Sequence, residues 1–469
     1  MWDLGKYSER IALIDEQEVK ITYGQLSEIG EDICKNVENR SLVFILCTNS
    51  IGSVVGYTAF MNHKIVPLML NAHLDRELLN ELLRIYQPSY LWIPENMTDE
   101  FSMFQVVINT CSYSLLKTNY QLKHELYEEL ALLLTTSGST GSPKFVRQSY
   151  KNIKANTESI ISYLKLDENE RPITTLPMNY TYGLSIINTH LYVGATILMT
   201  ERSLMEKEFW TLFKEQKATS FGGVPYTYEM LDRLRFARMD LPYLRTMTQA
   251  GGKLSVELHK KFAAYAEENG KEFIVMYGQC EATARMGYLP ADQAVKKCGS
   301  MGIAIPNGQL SLIDENGKEI TEHHKVGELI YRGDNVTLGY AESVADLLKG
   351  DERNGVLVTG DMAETDDEGF FYIVGRKKRF LKIYGNRVNL DEIDQMIKSH
   401  YTDVDCASIG VDDHMKIIIT NPDLVDSVKH YVAEKTKLNP VAFQVKYIPE
   451  IPKNDAGKTL YKVLEKYDL

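Results

Sequence analysis

The chain has 469 residues, 44% of them hydrophobic and 25% charged, a composition typical of a globular protein with two or three domains. Its formal charge of −12 argues against a broad nucleic-acid-binding surface. No apolar run reaches the roughly eighteen residues that a membrane-spanning helix needs, so the sequence predicts no membrane span.

The first residues and the cysteines indicate the compartment. The opening segment MWDLGKYSER contains acidic residues and no apolar stretch, so it lacks the pattern of a signal peptide. The six cysteines show no C-x-x-C spacing, which is typical of reduced thiols rather than of a disulfide framework or a zinc site. We therefore expect a cytoplasmic protein.

Short β-rich runs alternate with helical patterns over residues 11–93. Helices are predicted near residues 24–38 and 75–85, and the run SLVFILC reads as a buried strand. Such alternation is typical of a mainly parallel sheet covered by helices. The fold class is therefore predicted to be α/β, with a large N-terminal domain of parallel-type sheets.

The stretch LLLTTSGSTGSPKFVR, residues 132–147, carries the first chemical signal. A short buried strand leads into a loop of glycines and hydroxyl residues, and a lysine follows, which suits a phosphate-bearing ligand. A Walker-type loop is disfavoured because Pro143 has no N–H to offer a phosphate and Phe145 cannot ligate magnesium. A solvated turn between two strands remains open. The loop residues are Thr136, Ser137, Gly138, Ser139, Thr140, Gly141 and Lys144.

The segments that follow contain a group of aromatic residues and two glycine pairs that are candidate ligand contacts. Tyr180, Tyr182 and Gly183 stand at the start of an apolar helix, where they either line a pocket or belong to a buried helix–strand unit. Glycine pairs follow two later strands, at 222–223 and 251–252. Ligands of open α/β sheets bind at the carboxyl ends of strands, so both turns are candidate contacts.

The stretch EFIVMYGQCEATARMGYL is the second chemical signal. A strand delivers Tyr277, Gly278 and the lone carboxylate Glu281 to its end. An aromatic ring can stack on a base, and a carboxylate near a phosphate site suits magnesium, which prefers oxygen ligands. An ordinary strand followed by a turn is the alternative.

From Gly299 onward the chain is rich in strands and turns, which predicts a β-rich subdomain. Asp361 lies between strands and could accept hydrogen bonds from both hydroxyls of a ribose. A basic hairpin and an acid-capped helix follow Arg376, and the remaining residues suffice for a small α+β domain. Lys458 follows a glycine turn near the end, where a solvated lysine is the alternative to a functional one.

Taken together, these stretches resemble the acyl-adenylate-forming superfamily of acyl-CoA synthetases, peptide-synthetase adenylation domains and luciferases. The resemblance covers nearly the whole chain and is specific because the motifs occur in family order. These motifs are TTSGSTGSPK, LPMNYTYG, YGQCEAT, VTGDMA, GRKKRFLKIYGNRVNLDEID and PKNDAGKTLY.

The resemblance implies roles for particular residues. The Thr136–Lys144 loop would hold the β- and γ-phosphates of ATP, and Glu281 would associate with Mg²⁺. Adenine would stack on Tyr277 of the Tyr277–Gly278 turn. The further implied contacts are Gly251 and Gly252 against adenine and acyl group, Asp361 and Arg376 on the ribose, and Lys458 between the substrate carboxylate and the α-phosphate. Lys378 would be the hinge between a large domain, residues 1–377, and a small mobile domain, residues 378–469.

The chain also departs from the family pattern. Cys280 replaces the usual threonine whose hydroxyl contacts the α-phosphate, and Tyr180 replaces a gating histidine. Thr181 stands where amino-acid-activating domains carry an aspartate, so an α-ammonium group would be buried unpaired. We therefore expect a plain, hydroxy, aryl or fatty carboxylic acid with an uncharged tail. The pocket residues expected to select it are Tyr180, Tyr182, Gly183, Phe221, Gly222 and Met301.

The predicted function is ATP-dependent activation of a carboxylic acid, giving acyl-AMP and pyrophosphate, followed by thioester formation on coenzyme A or a phosphopantetheinyl carrier protein. Lys458, Glu281 and Lys144 would be the catalytic residues. The alternatives are an amino-acid-activating carrier-protein ligase and a catalytically impaired nucleotide- or acyl-binding protein. A luciferase-like oxygenase is a remote third.

Overall fold

The structure is a computed structural model. It describes residues 1–135, 144–383, 386–453 and 459–466. The chain folds into two compact units, of which the first is Met1–Leu310 with Tyr331–Leu357 and the second is Ser311–Ile330 with Val358–Leu469.

The α-helices of the described residues are α1 Tyr23–Cys34, α2 Ile51–Asn62, α3 Arg76–Tyr86, α4 Tyr150–Leu164, α5 Thr181–Val193, α6 Lys207–Glu215, α7 Pro225–Arg233, α8 Val256–Glu268, α9 Leu390–His400, α10 Val425–Thr436 and α11 Tyr461–Leu464.

The strands are β1 Ile11–Asp15, β2 Lys20–Thr22, β3 Leu42–Cys47, β4 Val66–Asn71, β5 Tyr90–Pro94, β6 Gln105–Thr110, β7 Tyr113–Lys117, β8 Leu130–Thr135, β9 Phe145–Ser149, β10 Pro172–Ile173, β11 Ile197–Met199, β12 Ser220–Gly223, β13 Thr246–Gln249, β14 Glu272–Tyr277, β15 Gly287–Tyr288, β16 Ile303–Ala304, β17 Gln309–Ile313, β18 Glu319–Ile320, β19 Gly327–Arg332, β20 Gly339–Ala341, β21 Val356–Thr365, β22 Phe371–Arg376, β23 Phe380–Ile383, β24 Asn386–Asn389, β25 Cys406–Val411, β26 His414–Ile419 and β27 Phe443–Tyr447.

Two large sheets form the first unit. A nine-stranded sheet has the order β16-β15-β14-β13-β12-β10-β11-β1-β2, and its strands from β14 to β1 are parallel. An eight-stranded sheet has the order β20-β9-β8-β4-β3-β5-β7-β6, with a parallel centre from β8 to β5. The predicted parallel-type sheets are therefore confirmed, with antiparallel strands added at their edges.

Helix α2 explains how the core of the first unit is built. Eleven of its twelve residues are buried, so it is apolar on all sides, the pattern of a helix enclosed within a core. It packs in one hydrophobic cluster with residues of β3, β5 and α5. Ser149 caps α4, because its side chain accepts from the backbone N–H of Asn152, and Pro225 is the first residue of α7.

The second unit is rich in strands, as predicted. It contains most of a five-stranded sheet, β18-β17-β19-β21-β22, whose DENG and DDEG turns close the β17–β18 and β21–β22 hairpins. The hairpin β23–β24 and the sheet β25-β26-β27 follow, and α9 and α10 pack on them around a separate apolar core. The α/β fold class with β-rich subdomains is confirmed. Within the described ranges, no helix is long and apolar enough to cross a membrane.

Candidate functional site

Three parallel strands end together at one edge of the nine-stranded sheet. Gly223 of β12 lies beside Gln249 of β13, which lies beside Val275 of β14. The turns that follow these strands are therefore neighbours, as predicted for a ligand-binding edge. Gly251 has φ +85°, and a Cβ at this position would lie 2.8 Å from the Tyr180 hydroxyl oxygen. Only glycine lets the backbone pass so close to this ring.

The turn after β14 is the most constrained backbone of the site. A Cβ on Gly278 would lie 1.5 Å from the carbonyl oxygen of Ala284, so no side chain fits. Thr283 has φ +60° and Ala284 has φ +142°, a region that residues with a side chain rarely adopt. Asn335 holds the turn, because its Nδ2 donates to the carbonyls of Ala282 at 2.8 Å and Arg285 at 3.0 Å. Strained backbone held this firmly is typical of functional sites.

This turn presents the Glu281 carboxylate in a fixed position. The Tyr340 hydroxyl donates to Glu281 Oε1 at 2.7 Å. The Glu281 carbonyl oxygen accepts three hydrogen bonds of 3.0 Å, from the backbone N–H and hydroxyl of Thr337 and from Arg353 Nη1. Burial, and next the Glu281 charge, raise the pKa of Tyr340, so its hydroxyl stays a donor at neutral pH.

Lys144 lies against the same tyrosine. Its Nζ is 3.7 Å from the centre of the Tyr340 ring and 3.5 Å from Glu342 Oε1. The antiparallel pairing of β9 with β20, which sets Val146 opposite Tyr340, places these groups together. The Arg353 guanidinium lies 4.5 Å from the same ring centre. Tyr340 thus contacts two cations and one carboxylate, and the sequence analysis did not identify it.

A magnesium ion fits this arrangement. Among the described residues, no cluster of three His, Cys, Asp or Glu side chains could cage a metal, and Glu281 Oε2 accepts no hydrogen bond from any of them. Magnesium in nucleotide-dependent enzymes is commonly held by one or two carboxylates and by the phosphates of the substrate. A single oriented carboxylate beside Lys144 is consistent with an ion that arrives with a nucleotide. The predicted loop residues 136–141 lie outside the described residues.

Two departures from the family motifs contact each other. The Thr181 hydroxyl lies 3.0 Å from Cys280 Sγ, and both side chains are buried. A hydroxyl is therefore present beside position 280, although it comes from the first residue of α5 and not from residue 280 itself. Their separation of about a hundred residues in the chain hides this pairing from sequence analysis.

Phe221 and Gly222, two of the six predicted pocket residues, line a cavity beside strands β12 and β13. Tyr182 is buried, and its hydroxyl is 2.8 Å from Thr248 Oγ1. Gly183 has a packing role, because a Cβ there would lie 2.3 Å from the Pro177 carbonyl oxygen. The other two are the half-buried Tyr180 beside Gly251 and the buried Met301, which is not among the cavity-lining residues.

Further predicted residues belong to the second unit. Asp361 and Arg376 face each other in the β21–β22 pair, with Asp361 Oδ1 2.6 Å from Arg376 Nε. Lys378 is exposed in the single turn Lys377–Arg379 between β22 and β23. Lys458 lies outside the described residues, although Lys453 and Thr459 on either side of it form an antiparallel bridge.

The fold is that of an adenylate-forming enzyme. The family described as "AMP-binding enzyme" matches residues 2–341, which is well over half of the chain. The chain belongs to the AMP-binding enzyme family, and the predicted superfamily is confirmed.

Individual relatives agree with this assignment. A 2-succinylbenzoate–CoA ligase of Bacillus mycoides (strain KBAB4) is 26% identical over 97% of this chain and 95% of its own length. A long-chain-fatty-acid–CoA ligase of Bacillus subtilis (strain 168) is 26% identical over 72% of this chain and 61% of its own length. The o-succinylbenzoate coenzyme A synthetase of Bacillus subtilis, solved with AMP, superposes with a TM-score of 0.79 at 20% identity, covering 99% of this chain and 98% of the synthetase. That synthetase has also been solved with ATP and a magnesium ion and with its acyl-adenylate intermediate.

Proposed function

We propose that the chain is an AMP-forming acid–thiol ligase. It joins a small carboxylic acid to AMP, releases pyrophosphate, and transfers the acyl group to the thiol of coenzyme A. This class of reaction was predicted from the motifs and is confirmed by the relatives, which are named as CoA ligases. The observation that carries the proposal is the arrangement around Tyr340. Its hydroxyl donates to the Glu281 carboxylate, and Lys144 lies over its ring.

The chemistry explains why these groups are needed. A carboxylate attacks an anionic phosphate poorly, so the enzyme has to cancel repulsion and align the attack on the α-phosphorus. Lys144 and the hydroxyl-rich loop 136–141 bind the phosphates and neutralise charge on the leaving pyrophosphate. A magnesium ion, held by Glu281, would supply further charge neutralisation. Tyr340 keeps the carboxylate of Glu281 in place while this occurs.

The remaining assignments follow the family motifs. Adenine stacks on Tyr277 and lies against the Gly251–Gly252 turn, beside Gly278 and Cys280. Asp361 and Arg376, which already face each other, bind the ribose hydroxyls. Lys458 bridges the substrate carboxylate and the α-phosphate, and the small domain, residues 378–469, turns about Lys378 between the half-reactions.

The acceptor is coenzyme A rather than a carrier protein, because coenzyme A is the acceptor named for the relatives. ATP is the nucleotide and Mg²⁺ the metal that the reaction requires, a choice supported by the synthetase solved with both. A cytoplasmic location is supported by the six cysteines, none of which is in a disulfide in the described part of the chain.

ATP–pyrophosphate exchange tests the proposal. Wild-type protein should exchange label in the presence of an acid and Mg²⁺. The panel should contain 2-succinylbenzoate, long-chain fatty acids, short acids and all common amino acids. Exchange with the acids but not with the amino acids supports the proposal. An amino acid preferred above every other acid would instead establish the amino-acid-activating alternative.

A matched pair of lysine variants tests the assignment of Lys458. Lys458→Ala should lower exchange by about 10²–10³-fold or more, because it removes a cation from the developing charge. Lys462→Ala, which changes an exposed lysine of α11, should leave exchange unchanged. Equal activity of both variants would contradict the assignment. Absence of exchange with every acid in the wild type would favour the catalytically impaired alternative.

A further inference from the structure

Arg285 is a buried cation without a carboxylate partner. It is 3% exposed, and its guanidinium lies 3.8 Å from the centre of the Tyr182 ring. Its Nε is fully enclosed and has no hydrogen-bond partner, whereas the Tyr163 hydroxyl is a polar contact of the same guanidinium. Among the described residues no ion pair involves this side chain. The undescribed residues 136–143 of the same unit, TSGSTGSP, contain no acidic side chain.

Such an arrangement is unfavourable for the unliganded protein. Removing a guanidinium from water costs several kcal/mol even after the surroundings relax. A cation–π contact with one tyrosine returns only about 2 kcal/mol when it is desolvated. The backbone fixes Arg285 nonetheless, because its carbonyl oxygen accepts from Asn156 Nδ2 and Asn335 Nδ2 at 3.0 Å each. The cation is therefore held in place with two tyrosines, Tyr163 and Tyr182, beside it and with no carboxylate among the described side chains to balance its charge.

Arg285 faces a cavity that two residues of the predicted acyl pocket, Phe221 and Gly222, also line. The cavity wall includes Phe221, Gly222 and Thr248 as well as Arg285. Its volume of about 20 Å³ is room for about one water-sized group.

The rest of the cavity wall adds no charge. His190 lines it, and its Nδ1 donates to the Ile186 carbonyl oxygen at 2.7 Å, so Nε2 carries no proton. Burial lowers the pKa of His190 to about 4, which keeps the ring neutral at physiological pH. The remaining described lining residues are apolar or carry hydroxyls. Arg285 is thus the charged group that a ligand entering this cavity would meet.

We propose that Arg285 binds a second acidic group on the tail of the substrate, so that the preferred acid is a dicarboxylic acid. A carboxylate matches the planar fork of a guanidinium and would supply the anion that Arg285 lacks. This inference rests on the proposed function and replaces the expectation of an uncharged tail. Arg285 would then determine specificity without taking part in the reaction at phosphorus.

The first test uses the wild-type protein and matched acids. Pyrophosphate exchange is measured with butanedioate, hexanedioate and octanedioate, with the monocarboxylates of the same length, and with the monomethyl ester of each dicarboxylate. At least one dicarboxylate should exceed both its monocarboxylate and its ester by about tenfold or more in kcat/KM. Equal or better activity of the uncharged partners at every length would overturn the proposal.

The second test changes the cation. Arg285→Met should abolish the preference for the dicarboxylate, mainly by raising its KM, while activity with the monocarboxylate is kept or increased. Arg285→Lys should retain part of the preference because it keeps the charge. Arg238→Met, which removes an exposed arginine of the same unit, should behave as the wild type. Equal loss with both acids in a folded Arg285→Met protein would contradict the proposal.

These outcomes are separable from failure of the proposed function. If no acid of any kind supports exchange, the ligase assignment fails. If monocarboxylates support exchange and dicarboxylates do not, the ligase assignment stands and the role of Arg285 is refuted. The ester comparison needs no variant, so misfolding of Arg285→Met would leave a decisive measurement.

Discussion

Arg285, which is buried in the first unit, and Arg379, which is half-buried in the second, have similar aromatic surroundings and opposite electrostatic ones. The Arg285 guanidinium lies 3.8 Å from the Tyr182 ring centre, and the Arg379 guanidinium lies 4.0 Å from that of Tyr461. Arg379 also pairs with Asp391 at 2.7 Å and with Asp394 at 2.8 Å, whereas Arg285 pairs with no carboxylate of the described residues.

The difference separates a structural cation from one that awaits a ligand. The positive charge of Arg379 is neutralised by carboxylates of its own unit. Arg285 lines a cavity and lacks such balance, so the missing anion is expected from outside the chain. The following predictions, from the largest effect to the smallest, test this contrast.

Arg379→Met should be strongly destabilising. It leaves Asp391 and the buried Asp394 without their cation, which typically costs about 3–5 kcal/mol. The free energy of unfolding, measured by urea denaturation, should fall by this amount for the transition of the second unit. Arg376→Met, at the exposed partner of Asp361, should cost much less. Equal destabilisation by the two variants would show that the buried network contributes little.

Tyr340→Phe should impair catalysis without unfolding the protein. It removes the hydroxyl that donates to Glu281 but keeps the ring that Lys144 and Arg353 cover. Loss of a partner that orients a metal-binding side chain typically costs 10–100-fold, so kcat/KM should fall by roughly that factor. The magnesium concentration for half-maximal exchange should rise in parallel. The control is Tyr288→Phe, at a tyrosine whose ring stacks on that of Tyr163. This variant should keep the magnesium requirement of the wild type.

Asp394 should make stability depend on pH. Burial raises the pKa of Asp394 to about 7, although Arg379 opposes the shift. The native state therefore holds this proton at pH values where the unfolded chain has lost it, and the contribution to stability falls as pH rises from about 4 to about 7. Asp394→Asn should flatten this dependence in urea titrations, and Asp403→Asn, at an exposed acid, should retain it. Stability that rises over this range and is unaffected by Asp394→Asn would contradict the assignment.

Arg285→Met should have the smallest effect on folding. Replacing an unpaired buried charge by an apolar side chain of similar length is often neutral or stabilising. We expect a melting temperature equal to or above that of the wild type in the absence of substrate. A marked loss of stability would mean that Arg285, like Arg379, is balanced within the fold.

Much of the fold was predictable because its signals are local. The strand–helix alternation of the first quarter, the Ser149 cap and the Pro225 helix start all depend on residues close together in the chain. The turn after β14 was also found from sequence, because its motif is contiguous. The pairing of the outer strand β20 with β9 was not anticipated, since it joins segments that are far apart in the chain.

The same reasoning explains which site residues sequence analysis missed. Tyr340 contacts Glu281 across 59 positions of the chain, and no local pattern marks it. Thr181 and Cys280 were each noted as departures, but only the fold places their side chains in contact. Arg285 stands four residues after Glu281 in a stretch that the analysis quoted, and its significance depends on burial and missing partners, which a sequence does not report.

Isotope transfer from the acid tests the central claim most directly. The acid is labelled with ¹⁸O in its reacting carboxylate, and the wild-type protein is incubated with it, ATP, Mg²⁺ and coenzyme A. Attack of the carboxylate on the α-phosphorus predicts AMP that carries one ¹⁸O atom, unlabelled pyrophosphate and an acyl thioester. Label in inorganic phosphate together with ADP, or unlabelled AMP, would contradict an acyl-adenylate route.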